Sequence, residues 1–321
     1  MTDIYPSYIA AHKSGELKKR IEEAYKLLRS CTICPRKCKV NRLKDQRGFC
    51  KIGLYSMVCS YMAHHGEEPP ISGKKGSGTI FFSYCNMKCV YCQNYHFSQE
   101  GEGEKVSPER LSEFMLELQK QGCHNINFVT PTHVMPQILK SLEIAIEAGL
   151  NIPLVYNTSG YELPEIIKML DGIIDVYLVD MRYSQSKHSE HYSQAPDYPK
   201  HNQESLKEMY RQVGDAEIDD SGIIKKGIII RHLVLPNDIS GTQEILKFIS
   251  EELSQNTYVS LMSQYSPYYQ AYKYPEIARR ISKEEYKIAI DYLKNNGLEN
   301  GWIQDFYGLE SLAGVHIKKN T

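Results

Sequence analysis

Short apolar runs that alternate with segments of helical periodicity are the feature that most constrains the fold of this chain. Runs of this length with a β-branched and aromatic bias are typical of buried strands. Buried strands separated by helices form a parallel sheet covered by helices, and six units are fewer than the eight of a closed barrel. We therefore predict an α/β fold, an open (β/α)6 partial TIM barrel. Its predicted strands are Thr79–Phe82, Asn125–Val129, Pro153–Tyr156, Ile173–Val179, Gly227–Leu235 and Tyr258–Met262.

Amphipathic spacing predicts the helices, and capping residues such as Ser107 with Pro108 mark their starts. The predicted helices span residues 16–29, 107–120, 134–148, 163–170, 203–212, 242–253 and 282–293. Residues 60–78 are rich in Gly and Pro, so we predict a loop at one rim of the site. Within it, His64, His65, Glu67 and Glu68 are candidates for orienting a substrate or for acid/base chemistry, or else exposed polar residues. The polar segment Tyr183–Ser221 is predicted to be a lid or a solvated surface loop.

Three cysteines, Cys85, Cys89 and Cys92, directly follow the first predicted strand. Thiolates are the usual ligands of iron–sulfur clusters, and a [4Fe–4S] cluster normally takes four. A local set of three leaves one iron open to another ligand, much as a catalytic zinc keeps one open position. The alternatives are a zinc knuckle or three separate core positions. The context of a strand followed by a cysteine loop favours a [4Fe–4S] cluster.

A second cysteine group precedes the first strand: Cys31, Cys34, Cys38 and Cys50. Four cysteines complete a closed coordination set, which suits either Zn²⁺ or a fully ligated [4Fe–4S] cluster. So small a module has too little core to fold unaided, and a metal centre would stabilise it. We predict two domains, an N-terminal helix with a four-cysteine metal-binding segment over residues 1–75 and the partial barrel over residues 76–321.

Composition excludes several functional classes. The formal net charge is −1 with 24% charged residues, which gives no indication of nucleic-acid or membrane binding. We expect a cytoplasmic protein, because the start of the chain has no signal-peptide pattern and no apolar run is long enough to span a bilayer. Nine cysteines in a reducing compartment favour metal ligation over disulfides. Cys59 and Cys123, the two outside the clusters, are predicted to be buried apolar residues.

Polar residues follow nearly every predicted strand. In a parallel α/β sheet the carboxyl ends of the strands meet at one edge, where ligands bind. Six polar strand ends together indicate a polar ligand site. They include Gln93 and Asn94, Thr130–His133, Asn157–Gly160, Asp180–Arg182, Arg231 and His232, and Ser263–Tyr265.

The Cys85–Cys92 spacing, with Tyr91 just before the third cysteine, resembles the signature of the radical S-adenosylmethionine (SAM) superfamily. Within it, the chain looks like the activating enzymes of glycyl-radical enzymes, relatives of pyruvate formate-lyase activating enzyme. It is more closely similar to uncharacterised members of that branch with an N-terminal CxxCPxxC segment, a HxGEEPP-like loop and a TPTH motif. Here these are Cys31–Cys38, His64–Pro70 and Thr130–His133. The resemblance runs from about residue 30 to residue 310.

The resemblance implies a [4Fe–4S] cluster on Cys85, Cys89 and Cys92. Its open iron would chelate SAM, which an electron from the cluster would cleave to a 5′-deoxyadenosyl radical. Thr130–Thr132 stands where the family usually has a Gly-Gly-Glu that meets the SAM amino group, and the Glu is absent. Asp180 and Arg182 match an Asp-x-Lys pair that contacts SAM in the activating enzymes, and Arg231 matches an arginine on the fifth strand. We predict that all three act in SAM binding and not in folding.

The full predicted cofactor-binding set comprises Tyr91, Asn94, Thr130, Pro131, Thr132, Asn157, Ser159, Asp180, Arg182, Arg231 and Gln264. Tyr91 would offer an apolar surface to adenine. Asn157 stands where the activating enzymes have an Asp of a monovalent-cation site, and the Asn weakens such a site by one charge. No catalytic protein residue is assigned.

Three functions follow as hypotheses. The first is activation of a partner protein by glycyl-radical formation, and the second is modification of a small molecule or peptide. The third, a non-catalytic iron–sulfur electron carrier or sensor, is disfavoured because a carrier needs no SAM pocket. The expected partners are an electron donor such as a flavodoxin or ferredoxin, together with a glycyl-radical protein or a small-molecule substrate.

Overall fold

The computed structural model describes residues 5–306 and 315–316, so the outer ends of both predicted domains lie outside the described residues. All six predicted strands are present and run parallel, which confirms the predicted fold class. A seventh parallel strand, Gly301–Ile303, extends the sheet at one edge. In chain order the strands are β1 (Ser56–His64), β2 (Ser77–Phe82), β3 (Glu104–Val106), β4 (Ile126–Val129), β5 (Leu154–Thr158), β6 (Val176–Asp180), β7 (Glu217–Ile218), β8 (Ile224–Leu233), β9 (Tyr258–Met262), β10 (Gly301–Ile303) and β11 (Val315–His316).

The helices alternate with the parallel strands as predicted. They are α1 (Tyr8–Lys13), α2 (Glu16–Leu27), α3 (Pro69–Ser72), α4 (Tyr95–Ser98), α5 (Pro108–Lys120), α6 (Met135–Glu147), α7 (Pro164–Lys168), α8 (Ser186–Ser193), α9 (Tyr198–Val213), α10 (Thr242–Phe248) and α11 (Lys283–Asn295). The predicted capping serine at Ser107 accepts a hydrogen bond from the backbone N–H of Arg110, and Ser282 closes a capping box with Glu285. Among the described helices, none combines the length and the apolar character that a bilayer crossing requires.

The two faces of the parallel strands have different partners. Because side chains alternate along a strand, residues of one parity face the helices and those of the other face the barrel interior. On β6, Tyr177 and Val179 pack in the large cluster that includes the helices, whereas Val176 and Leu178 pack in an interior cluster. Asp180 has the same parity as Val176 and Leu178. The interior of the sheet therefore changes from apolar to charged toward the carboxyl ends of the strands.

The segment predicted as a loop over residues 60–78 is partly ordered structure, and its predicted place at the rim is wrong. Its first residues belong to β1, which pairs antiparallel with β2 along the edge of the sheet. The chain then enters the barrel from the end opposite the cysteine loop, where α3 places Ile71 in the interior cluster. Ile71 is fully buried, and burial of such a side chain contributes roughly 1.5–3 kcal/mol. We call residues 65–72 the plug.

The N-terminal segment packs directly on the barrel. Helix α2 buries Leu17, Ile21 and Ala24, the apolar face that the sequence predicts, within the same cluster as the barrel helices. The cysteine-rich segment follows α2, and Cys31 and Ile33 form a small separate cluster with Leu28. The segment is thus anchored by a helix that shares the main core.

Candidate active site

The loop that follows β2 brings the three predicted cluster ligands to the carboxyl ends of the strands. Cys85 and Cys89 are buried and Cys92 is partly exposed. Hydrogen-bond donors surround the sulfurs: the Met87 N–H lies 3.3 Å from Cys85 Sγ, and the Ser193 hydroxyl lies 3.0 Å from Cys89 Sγ. Burial raises the pKa of the Cys85 thiol to about 12. Iron binding would therefore have to displace a proton, as it does at any thiolate ligand.

Helix α8 holds this loop in place. The backbone N–H groups of Lys88 and Val90 donate to the carbonyls of Ser193 and Tyr192, at 3.0 and 2.9 Å. Side chains continue the connection, because the Tyr183 hydroxyl lies 2.7 Å from the Tyr91 hydroxyl and 2.8 Å from Ser193 Oγ. The segment 183–221, predicted to be a lid or a surface loop, is thus a support for the cysteine loop. Tyr183, Tyr192 and Tyr198 are buried, although the segment as a whole is polar, and its polar composition led to the prediction of a lid or a surface loop.

A cavity of about 190 Å³ lies beside Cys92, between the cysteine loop and the ends of β6, β8 and β9. Six of the predicted cofactor-binding residues line it: Tyr91, Asn94, Asp180, Arg182, Arg231 and Gln264. The cavity also has lining residues outside the predicted set: Gln93, Leu233, Met262, Tyr265, Ser266 and Tyr268. Met262 and Gln264 share the interior parity of β9, so the strand period was the signal that could have identified Met262.

Arg231 is the centre of a buried charge network under this cavity. Its Nε donates to Asp180 Oδ1 at 2.8 Å, and its Nη2 donates to Asn157 Oδ1 at 2.6 Å. Its Nη1 lies 3.3 Å from Glu67 Oε2, a contact between the plug and β8. Arg182 pairs with the other oxygen of Asp180. The plug therefore lies beneath the floor of the cavity and contributes a carboxylate to the network around Arg231.

The carboxylates in this network have opposite pKa shifts. Burial alone would raise the pKa of Asp180, but the guanidinium groups of Arg231 and Arg182 outweigh it and hold that pKa below its usual range. Burial raises the pKa of Glu67 above its usual range, although Arg231 opposes the shift. The pKa of Glu68 is raised for the same reason. Asp180 is thus the carboxylate that stays charged.

The other five predicted cofactor-binding residues are not among those that line the cavity: Thr130, Pro131, Thr132, Asn157 and Ser159. The hydroxyls of Thr132 and Thr158 both donate to Glu162 Oε1 at 2.6 Å, so Thr132 already has a buried partner. Burial raises the pKa of Glu162 to about 7. The Ser159 carbonyl accepts from the Tyr198 hydroxyl at 2.8 Å. Asn157 acts through Arg231, as described above.

The second cysteine group lies next to the first. Cys31, Cys34, Cys38 and Cys50 line one small cavity, together with His133 of the TPTH motif. The Arg36 Nε donates at 2.9 Å to the carbonyl of Asn86, the residue after Cys85. The N-terminal cysteine segment therefore contacts the active-site loop itself.

Neither cysteine group converges on a single ion. In the described part of the chain, no three side chains of His, Cys, Asp or Glu are placed to hold one metal ion. A cubane differs from a single ion in this respect, because each cysteine binds its own iron. The three buried or partly buried sulfurs of Cys85, Cys89 and Cys92, with donors around them, fit a [4Fe–4S] cluster. The cavity fits SAM because Arg182, which lines it, has a buried Nε with no hydrogen-bond partner in the described residues.

Comparison with protein-family models assigns the chain to a family. The family model described as the radical SAM superfamily matches residues 79–249, which hold the cysteine loop and strands β4 to β8. The chain belongs to the radical SAM superfamily. The matched region therefore holds the cysteine loop and the cavity-lining residues from Tyr91 to Leu233, and the lining residues from Met262 to Tyr268 follow it. Members of this superfamily use a [4Fe–4S] cluster and SAM, and the residues at both positions fit these groups.

Two uncharacterized proteins of Methanocaldococcus jannaschii are similar to this radical SAM chain. One is 33% identical over 297 residues, which cover 89% of this chain and 81% of the relative. The other is 23% identical over 286 residues, covering 79% and 78%. Among solved structures, a crystal structure of methylornithine synthase (PylB) has a TM-score of 0.48 and 15% identity, covering 74% of this chain and 69% of that chain.

Proposed function

We propose that this radical SAM enzyme abstracts a hydrogen atom from a segment of a partner protein, in the manner of a glycyl-radical-enzyme activase. The size of the cavity carries the proposal. Pockets that enclose a drug-sized ligand measure about 300–1,000 Å³, and this one measures about 190 Å³. Because SAM is itself of drug size, it would fill this cavity and extend to its mouth, which leaves no enclosed space for a second small molecule. The substrate atom is therefore presented from outside, through the mouth, as a backbone glycine on a protruding loop can be.

The mouth has the composition of a protein-binding surface. Tyr268 lines the cavity and is 44% exposed, and Tyr272, nearby in the chain, is 68% exposed. Tyr269 stacks on Tyr95 of α4 with ring centroids 4.9 Å apart, and the Gln270 N–H donates to the Val90 carbonyl at 2.8 Å. This tyrosine-rich segment, Tyr268–Tyr272, is thus fixed to the cysteine loop. Tyrosine is enriched in protein interfaces, where its ring contributes apolar contact and its hydroxyl a hydrogen bond.

Each predicted cofactor contact has a role in this scheme. When bound, the cluster and SAM supply one-electron reductive cleavage and, from it, hydrogen-atom abstraction. Arg182 would bind the SAM carboxylate through its unpartnered Nε, and Asp180 would hold Arg182 in position. Asn94 and Gln264 would accept from or donate to the polar ends of the cofactor, with Tyr91 beside the ring system. An electron donor such as a flavodoxin or ferredoxin would reduce the cluster.

Deuterium transfer tests the proposal. An extract of deuterated cells of the source organism is separated by dialysis into a protein fraction and a small-molecule fraction. Each fraction is added to the reduced enzyme with unlabelled SAM, and deuterium in the 5′-deoxyadenosine is measured. Deuterium from the protein fraction alone supports the proposal. Deuterium from the small-molecule fraction would contradict the proposal and establish the alternative, a small-molecule substrate.

A matched pair of variants locates the docking surface. Tyr272→Ser, four residues after the cavity-lining Tyr268, should reduce deuterium transfer from the protein fraction while SAM cleavage without substrate is unchanged. Tyr55→Ser, a change at a tyrosine of similar type that is 44% exposed elsewhere, should affect neither. Equal deuterium transfer in both variants would show that the tyrosine-rich segment is not part of the docking surface.

A further inference from the structure

The cavity between the four N-terminal cysteines is surrounded by nitrogen atoms that lack partners. Arg36, Arg42 and His133 line it along with the cysteines. Each has a buried nitrogen, Nη2 in the two arginines and Nδ1 in the histidine, for which the described residues provide no hydrogen-bond partner. Buried polar atoms are nearly always paired, and an unpaired one is destabilising. Three of them around one cavity indicate a polar, electron-rich occupant.

The remaining contacts in this cavity are directed at sulfur. The Arg42 Nη1 lies 3.9 Å from Cys31 Sγ, while its Nε is fixed by the Gly53 carbonyl at 3.0 Å. The Phe49 N–H lies 3.4 Å from Cys38 Sγ. Gly48 allows this approach, because a Cβ on it would lie 2.8 Å from the same sulfur. Backbone N–H groups and arginines around sulfur are what a negatively charged thiolate centre requires.

The positions of the sulfurs, together with the unpaired nitrogens, favour one of the two occupants that the sequence left open. In a tetrahedral zinc site with Zn–S bonds of about 2.3 Å, the sulfurs lie roughly 3.8 Å apart. Across the described ranges, 5–306 and 315–316, no three of the cysteines are placed for one ion, here or at Cys85, Cys89 and Cys92. A cubane fits either group, because each cysteine binds its own iron, and the superfamily holds a cubane at Cys85, Cys89 and Cys92. A cubane also carries sulfide atoms that can accept hydrogen bonds from the unpaired nitrogens.

We infer that Cys31, Cys34, Cys38 and Cys50 bind a second [4Fe–4S] cluster. All four irons have a cysteine, so the centre has no open position and does not bind SAM. Arg36, Arg42 and His133 hydrogen-bond to its sulfur atoms. The centre also supports the active-site loop, since Arg36 stacks on Phe49 with its guanidinium carbon 3.8 Å from the ring centroid while donating to Asn86. This inference is independent of the substrate proposed above.

Iron, acid-labile sulfide and zinc analysis of the anaerobically reconstituted full chain tests it. The expected content is about eight irons and eight sulfides per chain with no zinc. Cys34→Ser combined with Cys38→Ser should retain about four irons, and those four should still give an electron paramagnetic resonance (EPR) signal that changes when SAM is added. That signal shows that the barrel of the variant has folded. Cys59→Ser, a cysteine outside both groups, should retain about eight.

The results separate this inference from the proposed function. Cys89→Ser should lose the SAM-responsive signal and keep about four irons in a centre that ignores SAM. About four irons with one zinc in the unmodified chain would overturn the inference and leave the radical SAM chemistry intact. Four irons without zinc, with these four thiols freely alkylated, would overturn it as well. The variant His133→Phe tests the proposed hydrogen bond from His133 to the cluster. It should shift the EPR spectrum of the SAM-insensitive cluster while the iron content stays unchanged.

Discussion

The variant Arg231→Ala tests whether Arg231 acts only in cofactor binding or also in folding. The structure predicts that the substitution impairs both. The residue joins three parts of the barrel, because it pairs with Asp180 on β6, Asn157 on β5 and Glu67 of the plug. The side chains of Asp180 and Glu67 are only 11% and 8% exposed, so water screens them little. The sequence led us to expect a pure SAM-binding role, and these contacts add a structural one.

The magnitude follows from what Arg231→Ala leaves behind. Removal of one partner from a buried ion pair costs about 3–5 kcal/mol, and Arg231→Ala removes the cation paired with Glu67 as well as one of the two cations paired with Asp180. Glu67 moderates the loss, since its pKa is already raised and it can take up a proton. We therefore expect about 3 kcal/mol at neutral pH, which at roughly 2 °C per kcal/mol for a large domain lowers the melting temperature by about 6 °C.

Circular dichroism melting of the ligand-free, cluster-loaded protein measures this effect. The loss should shrink as the pH falls from 8 toward 5, because protonation neutralises the carboxylates that Arg231 no longer balances. Arg182→Ala is the matched control, since it leaves Asp180 paired with Arg231 and should cost only about 1 kcal/mol. A melting temperature of Arg231→Ala equal to that of the unmodified protein would refute the network as a structural element.

Three further predictions concern the cofactors and the buried acid. Cys89→Ala should abolish both the SAM-responsive cluster and 5′-deoxyadenosine formation, measured by chromatography; undiminished cleavage would contradict the ligand assignment. Arg182→Ala should weaken SAM binding by about 1–3 kcal/mol, measured by equilibrium dialysis, and unchanged affinity would exclude it as a contact. Because the pKa of Glu162 is raised to about 7, the folded state binds its proton more tightly than the unfolded state. Stability should therefore rise as the pH falls from 8 to 5, by up to about 3 kcal/mol, and Glu162→Gln should flatten this dependence in denaturation curves.

The strands and the cysteine loop could be predicted because their signals are local. Each parallel strand is buried on both faces and so appears as a continuous apolar run, such as Tyr258–Met262, which the structure reproduces residue for residue. Strand β1 was missed because it lies near the edge of the sheet and several of its residues, such as Ser60 and His64, are only partly buried. Edge strands carry such mixed sequences, and the glycines and prolines after β1 reinforced the prediction of a loop.

The floor of the cavity could not be predicted, because its contacts join distant parts of the chain. Glu67 and Arg231 are 164 residues apart in the chain. They meet only because the plug enters the barrel from the end opposite the cysteine loop. The sequence singled out Glu67 as conspicuous but gave no indication of which end of the sheet it would reach. Thr132 failed to reach the cavity for a similar reason, since Glu162, a buried acceptor 30 residues away, binds its hydroxyl.

Under the proposed function, the plug would also set the order in which molecules enter and leave the enzyme. Ile71 and its apolar neighbours fill the end of the barrel opposite the cysteine loop in the described residues, so the cavity is reached through the mouth near Tyr268. A partner protein docked there would cover the route by which methionine and 5′-deoxyadenosine leave. The partner would then have to depart before the nucleoside is exchanged, and each docking event would permit one turnover. A barrel open at both ends would allow repeated turnover on a stationary partner.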